Sequence, residues 1–69
     1  MNIDECYAVY TSLSMTIDDC IFPKDLEQLT KLRIELSTVI NMYNKIGYTE
    51  NLVNKYMAIK RELLKLGAI

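Results

Sequence analysis

From Leu26 to Leu66 the apolar side chains recur three and four residues apart, with one interruption at Gly47-Tyr48-Thr49. That period places them on one face of a helix, so the stretch reads as two amphipathic helices joined by a tight turn. Pro23 suits the first turn of the earlier helix, Asp25 and Glu27 suit its positive end, and Gly47 suits its stop. Its apolar arc comprises Leu26, Leu29, Leu32, Leu36, Val39, Ile40, Tyr43 and Ile46. Thr49 caps the later helix, and Tyr48 and Val53 are spaced to close a hydrophobic staple over its start. Leu52, Tyr56, Ile59, Leu63 and Leu66 form the later stripe, which Gly67 ends. So short a connection predicts an antiparallel αα-hairpin with helices over about 23–46 and 50–66. Glu27 with Lys31, and Lys31 with Glu35, have the i,i+4 spacing of helical ion pairs.

Upstream, Ile3, Cys6, Tyr10, Leu13, Ile17 and Cys20 make a third stripe, with Tyr7 and Ile21 at its edge, which predicts a helix over about 3–20. Asn2 stands at its cap, and Glu5 holds the capping-box position. Val9, Thr11, Thr16 and Ile17 favour strands, yet nothing after residue 23 supplies a partner strand. Asp18 and Asp19 sit badly at the negative end of a helix, so the helix is expected to stop near Ile17 and leave a connector. The fold expected is a single all-α domain over 1–69, with the first helix packed against the hairpin.

With 69 residues, 51% of them apolar, the chain carries more apolar surface than a small monomer easily hides. A second chain covering part of it, as a homodimer or higher homo-oligomer, is therefore expected. The net charge of −1 is unevenly spread. Residues 1–23 hold Asp4, Glu5, Asp18 and Asp19 and no basic group, whereas the remainder is mildly basic. Neither part has the charge density of a strong phosphate binder. No basic-then-apolar leader follows Met1 and no run of ~20 apolar residues occurs, so a soluble, cytoplasmic protein is expected. Cys6 and Cys20 would stand about 21 Å apart on one helix. That is too far for a disulfide, and reduced cysteines fit the same compartment.

Some large side chains remain outside the three stripes. Val53, Met57 and Leu64, with Lys60 among them, form a second face on the third helix, about 120° from the first. Either the first helix or a partner protein must cover it, and Met57 would supply an adaptable contact. Ile34 lies on the polar side of the second helix and Met15 on that of the first, which makes both candidates for an interface. Tyr10, Tyr43 and Tyr56 fall on core stripes. Combined with Lys60 or Arg61 across protomers, these rings offer the alternative of a nucleotide site, since aromatic faces stack on bases and basic groups meet phosphate.

Several chemistries lack their residues. There is no histidine, and two cysteines are too few for a zinc site, so no metal or cofactor is expected. Asp18, Asp19, Asp25 and Glu27 cluster in sequence, but Pro23 and the absent turn glycine break any EF-hand. No phosphate-cradling glycine loop and no nucleophile elbow occurs, and the protein is not expected to be an enzyme. Lys55, Lys60, Arg61 and Lys65 do not share one helical face, which argues against nucleic acid as a partner. Leu32-Arg33 and Gly47-Tyr48-Thr49 look faintly similar to the sporulation-regulating aspartyl-phosphate phosphatases. Where those proteins carry Ser-Gln-Glu-Leu-Asp this chain reads Met57-Ala58-Ile59-Lys60-Arg61, so no activity carries over. Abundant Ile, Asn, Lys and Tyr with three Ala resembles products of AT-rich bacterial or phage genomes. The function expected is a small regulator or inhibitor, of phage or plasmid type, that binds an unidentified protein.

Overall fold

The structure, a computed structural model, describes residues 2–69 and contains α1 (Ile3–Asp19), α2 (Pro23–Ile46) and α3 (Glu50–Lys65). α1 packs on α2 and α2 on α3, and no strand occurs among the described residues. The strand-favouring residues of α1 are accommodated locally. Thr11, Ser14 and Thr16 each donate a hydroxyl hydrogen to the carbonyl four residues back, at 3.0 Å, which satisfies those hydroxyls within the helix.

The caps mostly follow the sequence. Asn2 accepts from the Asp4 N–H at 2.9 Å. Glu5 does not close the capping box; its carboxylate receives Lys60 instead. α1 also runs past Ile17, through Asp18 and Asp19 to a cap at Cys20, whose N–H donates to Ile17 at 3.1 Å. Both aspartates are exposed, so water screens them from the helix terminus. Gly47 closes α2 with φ 82° and ψ −164°, a conformation essentially confined to glycine. Thr49 Oγ1 accepts from the Leu52 N–H at 3.2 Å. At the end of α3, Gly67 (φ 71°) donates to Leu64 at 3.1 Å and Ala68 to Leu63 at 2.9 Å, the paired bonds of a Schellman motif. Ala68 then packs on the core, which completes the motif.

The core gathers Leu29, Leu32, Leu36, Val39 and Ile40 from α2, Cys6 and Leu13 from α1, and Tyr56, Ile59 and Leu63 from α3. Three residues expected in it lie outside: Leu26, Ile46 and Leu66 are exposed. For Leu26 and Ile46 the reason is length: α2 has 24 residues and spans about 36 Å, while α1 and α3 have 17 and 16 and span about 25 Å, so its ends project beyond their cover. Leu66 is the cap that closes α3 and stands past its last helical turn. The expected pairs of Lys31 with Glu27 and Glu35 are also not closed. Among the described residues the ion pairs are Lys60–Glu5, at 2.8 Å, and Lys65–Glu62, at 3.6 Å. The accessible surface is 4678 Å², close to the roughly 4450 Å² of a folded monomer of 8.0 kDa. Packing is thus not deficient; the surplus apolar side chains are pointed outward.

Candidate interaction surfaces

On α3 the second stripe divides. Val53 and Lys60 are half-buried, whereas Met57 and Leu64 are 47% and 58% exposed. α1 reaches this side with Glu5, whose Oε1 accepts from Lys60 Nζ at 2.8 Å. That hydrogen bond and the ammonium charge hold the Glu5 carboxyl below its ordinary 4.5. A lowered folded value means the pair supports the fold above about pH 4.5, and the support is lost as pH falls further. Lys60 Nζ also stands 6.0 Å from the Tyr56 ring centroid, at the outer limit of a cation–π contact. Beneath it, Tyr56 is buried and its hydroxyl finds no hydrogen-bond partner among the described residues. Burial and the nearby Glu5 carboxylate push the Tyr56 phenol up to about 12, and the same two causes push the Cys6 thiol up to about 11.

The face of α2 and α3 turned away from α1 holds an open groove of about 370 Å³. Ile34, Thr38 and Met42 line it along α2, and Lys55 and Ala58 along α3, over a floor of Val39, Leu52 and Ile59. No residue of α1 borders it. Ile34 is 60% exposed, so the isoleucine that the helical pattern singled out stands at the rim of an apolar groove. Met42 was not visible as a surface residue from sequence, because it lies only one step outside the buried arc of α2.

A second concavity, of about 350 Å³, lies where the α1–α2 connector meets the end of α3. Ile21, Phe22 and Leu66 supply its large exposed apolar side chains over the buried Leu29, and Asp19 and Asp25 stand beside them. Ile21 and Phe22 are 80% and 62% exposed. The chain cannot turn them inward: Pro23 starts α2 at once, and the three residues between the helices are spent on reversing direction. The cue in the sequence was the pair of bulky apolar residues inside a connector flanked by aspartates.

The other residues singled out lie apart. Met15 is exposed on α1 and borders none of these concavities. Tyr10 and Tyr43 are half-buried, Tyr56 is buried, and Arg61 is exposed. No tyrosine borders these two concavities, or a third, charged one between the start of α2 and the end of α3. Among the described residues no group of three or more His, Cys, Asp or Glu is placed to hold a metal ion, and no helix is long and apolar enough to cross a membrane. No family model matches this chain, and no curated protein or solved structure shows significant similarity to it.

Proposed function

We propose that this chain is a small, non-catalytic protein-binding module that regulates its target by occupying a surface of it. The observation that carries this is the concavity of Ile21, Phe22 and Leu66 bordered by Asp19 and Asp25. Bulky apolar side chains held in water at a helix junction lose solvent-exposed area on docking, at about 25 cal/mol per Å². The aspartates select for a partner whose apolar contact is flanked by Lys or Arg. Met57 and Leu64 extend the same mode of binding along α3. A cytoplasmic setting accords with two free thiols.

An antiparallel α2–α3 hairpin supplies the rigid frame in this proposal. It is supported by the three-residue connection and by the lining of the concavities, where Met42 shares one with Leu52 and Lys24 another with Leu66.

The test is comparative capture from a lysate of the source cell, using the wild type and an Ile21→Ser/Phe22→Ser variant. Both positions are exposed, so circular dichroism should show unchanged helix content. A protein retained by the wild type and lost by the variant supports the proposal. Capture of nothing specific, or capture indifferent to the substitutions, overturns it.

A further inference from the structure

We infer that the α2–α3 groove is a self-association surface, occupied by the same groove of a second copy of this chain about a two-fold axis. This interface is separate from the connector concavity, so the two proposals stand or fall on different variants.

Charge is the first argument. The groove carries one acid, Glu35, on its α2 side and one base, Lys55, on its α3 side. Both are exposed, and neither has an ion-pair partner within 4.0 Å among the described residues. A two-fold interface is isologous, meaning that each surface meets its own copy. With the axis running along the groove, α2 of one copy lies over α3 of the other. Glu35 then meets Lys55 of the second copy twice, with no new residue required. A basic foreign segment would want acids on both rims, and an acidic one would want bases.

Shape is the second argument. The same axis exchanges the two rims, so the α2 rim with Ile34 of each copy faces the α3 rim of the other, which carries the small Ala58. A large side chain facing a small one interdigitates, as packed helices require.

The experiment is solution mass by light scattering over a concentration series, on the wild type, Glu35→Lys, Lys55→Glu and the double variant. The wild type should show a dimer of the 8.0 kDa chain. Each single reversal leaves two like-charge contacts per dimer and should weaken association by about tenfold or more. Glu35→Lys/Lys55→Glu restores both contacts and should return to wild-type association. An equimolar mixture of the two single variants restores them too, as a heterodimer. These are exposed positions, so failure to fold does not confound the result, and circular dichroism checks it. A wild type that stays monomeric to millimolar concentration overturns the inference. So do single reversals without effect, or a double variant that remains as weak as either single one.

Discussion

Tyr56 and Cys6 show what a single buried group contributes when its polar atom is poorly served. The Tyr56 ring packs beside Cys6 in the core, and its hydroxyl is buried near the Glu5 carboxylate without a well-formed hydrogen bond among the described residues, a cost of up to about 1–3 kcal/mol. Tyr56→Phe keeps the ring and removes that burden. Urea unfolding should show it neutral or more stable by up to about 1 kcal/mol, whereas Tyr56→Ala should lose about 3–5 kcal/mol by analogy with Phe→Ala in cores. The alkaline limb follows from the same burial. Ordinary values are 9.0 for the thiol and 10.0 for the phenol, against about 11 and about 12 in the fold. Raised folded values mean the unfolded chain loses these protons first. Stability is therefore full below pH 9 and declines between about 9 and 11 for Cys6, and between about 10 and 12 for Tyr56. Each group contributes a slope of about 1.4 kcal/mol per pH unit within its window. Thermal melts across that range should fall steeply in the wild type, and more gently between pH 9 and 11 in Cys6→Ala.

At the scale of the element, helix ends separate what local chemistry secures from what only packing secures. α3 carries a side-chain cap at one end and a Schellman motif at the other, both closed by its own neighbours in sequence. Thr49→Ala removes the bond to the Leu52 N–H and should cost about 1 kcal/mol by chemical denaturation. Gly47→Ala should cost more, about 1–3 kcal/mol, since its φ and ψ lie where a side chain is strained even though no atom stands within 4 Å of the added methyl. Gly67→Ala should cost less, because its φ of 71° belongs to the more accessible left-handed region. α2 lacks a side-chain cap and begins with Phe22 and Pro23, so its start rests on proline geometry and on the charge of Asp25 in its first turn.

For the whole molecule, unequal helix lengths decide where apolar surface is left. α1 packs on α2, α2 packs on α3, and the projecting ends of α2 with the groove between α2 and α3 stay uncovered. The result is two apolar features of different character: a connector concavity edged by aspartates, and a groove with one charge of each sign. Their separation has a testable consequence. A chain carrying Ile21→Ser, Phe22→Ser and Glu35→Lys together should keep its helix content and lose less than about 1 kcal/mol of unfolding free energy, since exposed positions contribute little to the fold. Self-association and capture of a target should respond independently to the two sets of changes, as mass measurements and capture would show.

Helix number, boundaries within two residues, caps and most of the buried positions were legible in the sequence, because the 3.6-residue period and cap chemistry act over a few neighbouring residues. Leu36, Leu63 and Leu13 are core in the pattern and core in the structure. Ile34 was legible as an outlier, since an isoleucine among polar neighbours breaks the period. What the pattern could not decide is which apolar side chain receives a cover. Leu26, Ile46 and Leu66 carry the same signal as Leu29 and Leu36, yet stand exposed, since burial depends on how far a neighbouring helix reaches. Glu5 stood in a capping position in the sequence, and only the tertiary approach of Lys60 to it, at 2.8 Å, gave it a different partner. Local periodicity thus set the elements, and their lengths and crossing in three dimensions set the surfaces, because burial is a property of what lies across from a residue.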